Sequence, residues 1–381
     1  MPDCPVALDV LPKPLQKHAD PAAPPPLRMM GAKALVPAVA PGDVVTLLFL
    51  LSFDPDEAVR ATATRTAESL PDRILGVALR DEDVRGEVLD WLADRVRASE
   101  SALELILLNR ATPDGTVARL AAQVPQRLTE LIRQNELRLL RHDDIIRELC
   151  RSSTALASTV DGACEFCVRN GLTLLDVPQL VAAHRRIHGA DPSPAPQGDT
   201  AAGLIAEYAS DLAAERVEDG GTGSVPPESP EQQERRLTMT QRVMRMAVSE
   251  KIKLATLGNR EARALLLRDT NKLVALAAVT SPRITDGEIL MLANSRTVSA
   301  EVLRHIYGTR EYLKHYGIKA ALVKNPKVPL PTALKLLLTL QEKEIRELAR
   351  DRNVPQTIQA QARAWLLKKE AAGKGPLSGK H

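Results

Sequence analysis

Asn325-Pro326-Lys327-Val328-Pro329 is a five-residue phrase that the chain repeats, and that repetition decides the fold class. Ser281-Pro-Arg-Ile-Thr285 and Ser295-Arg-Thr-Val-Ser299 precede it, and Asp351-Arg-Asn-Val-Pro355 follows it. Each copy has a small polar residue, Pro or Arg, any residue, Ile or Val, and then Thr, Ser or Pro. The starts lie 14, 30 and 26 residues apart, and apolar residues at helical spacing follow each copy. Such intervals belong to helical repeats and half-repeats, whose units bury too little surface alone and must stack on their neighbours. The reading is an all-α solenoid, an architecture that offers extended surfaces more than chemistry.

A second recurring pattern occupies the N-terminal half. Asp54-Pro-Asp-Glu-Ala-Val59-Arg60 is followed by Asp81-Glu-Asp-Val84-Arg85, Pro113-Asp-Gly-Thr-Val117 and Asp143-Asp-Ile-Ile146-Arg147. A carboxylate suits the free amides and the positive dipole end of a helix N-terminus, and proline suits the first turn. Asp is therefore expected to start each helix, with the apolar residue one turn later facing the core. Further helix boundaries are expected where Asp43 caps a helix running to Phe53, at Asn170-Gly171, at Gly258-Asn259, and at a capping box over Thr285–Glu288.

Asp54-Pro55 with Val59-Arg60, and Asp81 with Val84-Arg85, resemble HEAT repeats. The C-terminal phrases resemble HEAT and leucine-rich-repeat-variant modules, and residues 248–366 as a block resemble bacterial helical-repeat proteins. The resemblance implies a right-handed α-solenoid, and no established biochemistry comes with it. The chain departs from regular repeats in its uneven spacing and in an insertion from Tyr307 to Gly317.

Composition agrees with stacked helices. The chain is 44% hydrophobic but only 2% aromatic, so Leu, Ala, Val and Ile must form the core. Sheets favour β-branched and aromatic residues. The longest apolar run, Val44 to Phe53, is about half a membrane span. The start lacks the pattern of a signal peptide, since Asp3 and Asp9 precede Lys13 and prolines interrupt it. Four cysteines in 381 residues suggest a reducing compartment without a disulfide framework. A cytoplasmic protein with no membrane span is expected.

Five segments follow from composition. Residues 1–40, with Pro24-Pro25-Pro26, read as disordered; 41–188 as an acidic repeat module; 189–235 as a flexible linker; 236–370 as a basic repeat module; and 371–381 as a disordered tail. Within the linker, Thr200 to Val217 has the pattern of a short amphipathic helix. The overall charge of +3 conceals an asymmetry. Residues 231–381 carry 28 Lys/Arg against 14 Asp/Glu, and residues 1–230 carry 23 against 34. Mutual attraction of the halves is one meaning of this, and recognition of charged partners is another.

Candidate chemistry is sparse. Cys164-Glu-Phe-Cys167 and His184-Arg-Arg-Ile-His188 have a spacing near that of zinc sites, yet the cysteines also fit as ordinary buried residues of a helix. A redox Cys-x-x-Cys wants a helix N-terminus after a strand, and none is predicted here. Gly220-Gly-Thr-Gly223 reads as linker, and no nucleophile elbow occurs. No catalytic residue and no cofactor is assigned.

The basic half offers Lys251, Lys253, Arg260, Arg263, Arg268, Lys314, Lys319, Lys324, Lys327 and Arg352 as a candidate stripe for nucleic acid or an acidic partner. Tyr312 and Tyr316, four apart, are expected on one helix face, either as a base-stacking platform or as packing in an irregular junction. The function these observations favour is a non-enzymatic adaptor or scaffold for protein partners. Nucleic-acid binding by the basic module is the alternative.

Overall fold

The computed structural model describes residues 4–36, 40–193, 200–207, 239–351 and 353–373. Arg352, linker positions 194–199 and 208–235, and the tail from 374 lie outside them. Every regular element among the described residues is helical, and no strand occurs there. The helices are short, mostly 7 to 13 residues, as expected when stability comes from packing rather than from length.

The chain divides into two compact units, residues 1–169 with 173–192, and residues 170–172 with 193–381. In the first, helices pack on others two or three places along the chain. Pro41–Leu51 packs on Asp72–Arg80, which packs on Glu100–Leu108, then Gln126–Gln134, then Ala157–Arg169. A second row includes Glu57–Glu68 on Gly86–Arg95 and Asp114–Ala121 on Asp143–Arg151. The 41–51 helix is almost wholly apolar, and Leu47, Leu48 and Leu51 are fully buried because helices cover it on several sides. The second unit repeats the scheme, with Val248–Leu257 on Lys272–Val279, that helix on Ala300–Gly308, and Asp286–Asn294 on Tyr316–Lys324.

The phrases that opened the reading are the turns between helices. In each, the first side chain accepts the amide two residues on: Ser281 from Arg283, Ser295 from Thr297, Asn325 from Lys327 and Asp351 from Asn353. The first carbonyl often accepts the amide three residues on, as Asn325 does from Val328 at 3.2 Å. The fourth residue drops into the core; Val298, Val328 and Val354 are buried. The fifth stands at the entry to the next helix: Thr285 and Ser299 cap with their hydroxyls, and Pro329 fixes the backbone there. The Thr285–Glu288 capping box forms as predicted, and Asn259 caps the 260–266 helix.

The same turn occurs in the first unit, at 81–85 and 109–113, which corrects the expectation that Asp81 starts a helix. Asp81 ends the 72–80 helix and Arg85 caps the next, so Val84 is a buried turn residue. Likewise Asp56, not Asp54, is the N-cap of the 57–68 helix. Asp43 sits in the first turn of the 41–51 helix, whose N-cap is Ala40.

The N-terminal segment also differs from expectation. Residues 4–36 carry a 3-10 turn at Leu8–Val10 and helices Lys13–Gln16 and Pro25–Ala32, not disorder. Pro24 and Pro25 begin a helix, where their missing amides cost nothing. Leu11, Leu15, Ala19 and Ala32 are buried, and Arg28 forms a buried ion pair with Asp54. A single buried arginine facing a buried carboxylate holds this segment on the 41–51 and 57–68 helices. Inside the expected linker, the Ala201–Glu207 helix buries Ala201 and Leu204.

Candidate functional site

Three aromatic side chains meet in the first unit of a chain that has only two Trp, four Tyr and three Phe. Phe49, near the end of the 41–51 helix, stands edge-on to Phe53 at 5.2 Å and to Trp91 at 5.7 Å between ring centres. Phe49 is buried, while Phe53 and Trp91 are half-buried and line a cleft of ≈ 550 Å³. Its other walls include Glu87, Asp90, Asp94, Arg95 and Thr116. The Arg95 guanidinium lies 4.1 Å from the centre of the Trp91 ring, and its Nη1 donates to the Trp91 carbonyl at 2.6 Å. Burial lowers the Arg95 pKa from the ordinary arginine value, and its buried Nε meets no acceptor among the described residues.

The acidic wall is partly neutralised from within. Arg119 bridges Asp90 and Asp94, Thr116 donates to Asp90 at 2.5 Å, and Arg97 donates to Asp94 at 2.7 Å. Glu87 remains exposed at the rim. The cleft therefore combines apolar ring faces with a polar edge, as peptide-binding pockets do. Sequence reasoning missed it. The available signals were the i, i+4 spacing of Phe49 and Phe53 and the scarcity of aromatics elsewhere.

The basic candidates of the second unit have separate fates. Arg263 is 1% exposed and is held by Glu288 through two contacts of 3.2 Å and by the Gly258 carbonyl at 3.1 Å. It is a core residue and offers nothing to a partner, a correction to the proposed stripe. Lys251 pairs with Asp269 at 3.0 Å, and Lys253 with Glu250 at 3.5 Å. Lys327 donates to the Val298 carbonyl across the repeat at 2.7 Å. Arg260, Arg268 and Lys314 are exposed, and Lys319 and Lys324 are half-buried.

Tyr312 and Tyr316 do not share a helix. A 3-10 turn, Tyr312–Lys314, ends at His315 in an extended conformation, and Tyr316 opens the next helix. Tyr312 packs edge-on against His305, and burial pushes its pKa up to about 12, with Glu311 and Asp286 adding to the shift. Tyr316 uses its hydroxyl to accept the Gln341 amide at 2.8 Å. The Tyr307–Gly317 insertion breaks the helix that the four-residue spacing implied.

The Cys/His candidates separate as well. Among the described residues, no group of three or more His, Cys, Asp or Glu is placed to hold a metal. His184 and His188 stack on their own helix with ring centres 4.6 Å apart, and His184 Nδ1 contacts the Ala190 carbonyl. Cys164 and Cys167 are buried. The new feature is Cys150, whose Sγ lies 3.6 Å from that of Cys164. The hydrogen bond to Cys150, then burial, raises the Cys164 thiol, and burial pushes Cys167 up to about 12. Fourteen residues separate Cys150 from Cys164, so no short motif marks the pair.

No helix among the described residues is long and apolar enough to cross a membrane. No family model, curated protein or solved structure matches this chain.

Proposed function

We propose that the chain is a non-enzymatic adaptor whose HEAT-like repeats, wound as a right-handed solenoid, hold protein partners in the cytoplasm. The observation that carries this reading is the aromatic cleft at Phe53 and Trp91. Aromatic anchors are concentrated there in a chain that otherwise builds its core from aliphatic residues. A peptide from a partner would place an apolar or aromatic side chain on those rings and an acceptor toward Arg95. Polar groups elsewhere serve architecture: Asn109, Arg138 and Asn325 bond to backbone carbonyls of neighbouring repeats, and Arg263 bonds to Glu288 and to the Gly258 carbonyl before its own helix.

The test is affinity capture from native lysate after nuclease treatment, comparing wild type with a Phe53→Ala/Trp91→Ala variant shown by circular dichroism to be folded. A defined set of proteins held by wild type and lost by the variant supports the cleft. Equal capture by both removes it.

The charge asymmetry supports a second reading, in which the basic second unit binds nucleic acid through Arg260, Arg268, Lys314 and their neighbours. Binding of DNA or RNA that weakens steeply with salt, in a fluorescence anisotropy titration, is its expected signature. No binding at low salt removes it.

A further inference from the structure

We propose that Cys150 and Cys164 are a modification site, a dithiol that a hydroperoxide converts to a reversible disulfide. Cys150 closes the Asp143–Arg151 helix and Cys164 lies in the Ala157–Arg169 helix packed beside it. Their sulfurs are already 3.6 Å apart, so bond formation at about 2.05 Å needs side-chain rotation and a small approach of two helices. Cys150 is half-buried and reachable by a small oxidant, whereas Cys164 is buried.

The geometry assigns the order of events. The Cys150 thiolate attacks one peroxide oxygen, the O–O bond breaks, and the departing hydroxide takes a proton to leave as water. Cys150 is then a sulfenic acid. The Cys164 sulfur attacks the Cys150 sulfur and expels hydroxide, which takes the Cys164 proton to become a second water. Two thiols are oxidised and one peroxide is reduced. Exposure favours this division, since an oxidant meets the half-buried Cys150 before the buried Cys164, and the bond between the two sulfurs lowers the Cys150 pKa and raises that of Cys164.

The hydrogen bond with Cys164 outweighs burial and the Asp161 charge, which oppose a thiolate at Cys150, as does the C-terminal end of the 143–151 helix. In a reducing compartment a disulfide of this kind is transient and reports oxidative stress. Its structural effect is to tie the 143–151 helix to the 157–169 helix.

The experiment is peptide mapping of the reduced full-length protein after exposure to about tenfold molar hydrogen peroxide, with free thiols blocked by alkylation. The expected product is a 150–164 linked peptide that dithiothreitol removes. It persists in Cys4→Ser and Cys167→Ser and is absent from Cys150→Ser and Cys164→Ser. In Cys164→Ser, dimedone labels Cys150. The oxidised wild type melts about 5–10 °C higher than the reduced form. Full alkylation of Cys150 and Cys164 after peroxide overturns the proposal, as does a 164–167 link or a link between chains. The wild-type map decides this even where a serine variant fails to fold.

Discussion

Asn109 and Asn325 hold the same position in two copies of one turn, one in each unit, and perform the same task. The Asn109 amide donates to the carbonyls of Leu79 at 2.8 Å and Asp81 at 3.1 Å; that of Asn325 donates to Ala293 at 2.8 Å and Ser295 at 3.0 Å. The oxygen of each side chain accepts the amide two residues on within its own turn. One side chain thus shapes its own loop and stitches it to the end of a helix one repeat earlier, 72–80 for Asn109 and 286–294 for Asn325. Only Asn has an acceptor and two donors on so short a stem.

Asn109→Ala and Asn325→Ala each leave two carbonyls and one amide without their partner. Each is expected to lower stability by about 2–3 kcal/mol. Asn325→Asp is expected to cost as much, since it keeps the acceptor and loses both donors. Urea denaturation of the variants checks this. A change within error of zero at both positions would show that the bonds are incidental to the turn.

Arg263 and Glu288 form a buried pair in which neither side chain reaches solvent. Removing one charge strands the other, so Glu288→Gln or Arg263→Met alone is expected to cost about 3–5 kcal/mol. Replacing both, Arg263→Met with Glu288→Leu, removes the stranded charge and is expected to recover most of that loss. The residual deficit comes from the lost bonds of Thr285 to Glu288 and of Arg263 to the Gly258 carbonyl. A double variant less stable than either single variant would refute this account.

Tyr312 provides a spectroscopic handle. Burial keeps its phenol neutral, so the hydroxyl ionises near about 12 instead of the ordinary 10.0. This stabilisation is complete below pH 10 and is lost as pH rises through the folded value. Absorbance titration at alkaline pH, wild type against Tyr312→Phe, is expected to assign the phenol that ionises near 12 to Tyr312. Titration of that residue near 10 would contradict its packing against His305.

Asp94 works in the opposite direction. Its partial burial raises the carboxyl pKa, but Arg97 and Arg119 outweigh that and leave it below the ordinary 3.8. Its contribution is therefore present above pH 3.8 and lost as pH falls through the lower folded value. In Arg119→Ala, Asp94 is expected to titrate closer to 3.8, with little loss of stability at neutral pH because the pair is solvent-exposed. Carboxyl chemical shifts followed by NMR through acid titration measure both values.

Much of the architecture was legible along the chain. The five-residue phrases marked stacked helices, the Thr285–Glu288 box marked a helix start, and the low aromatic content pointed to helices. The errors share a cause. Asp81 and Asp54 are good N-caps by chemistry, but the same carboxylate also closes a turn by accepting the amide two residues on, and only the backbone distinguishes the two uses. The prolines of residues 1–40 suggested disorder because local composition does not show that Arg28 pairs with Asp54 and that the 25–32 helix packs on the 41–51 and 57–68 helices.

The candidate site was the least legible part. Phe49 meets Trp91 across 42 positions, and Cys150 meets Cys164 across 14, because the stacking of helices brings distant parts of the chain together. The sequence alone determined the helical class, the turn chemistry and the charge of each half, since these depend on side chains near one another along the chain. Only the tertiary structure decided that Arg263 is core, that Tyr312 and Tyr316 part company, and that three scattered aromatics form a cleft. Those outcomes depend on which helix covers which, and burial converts the same charge or ring from a surface feature into a packed one.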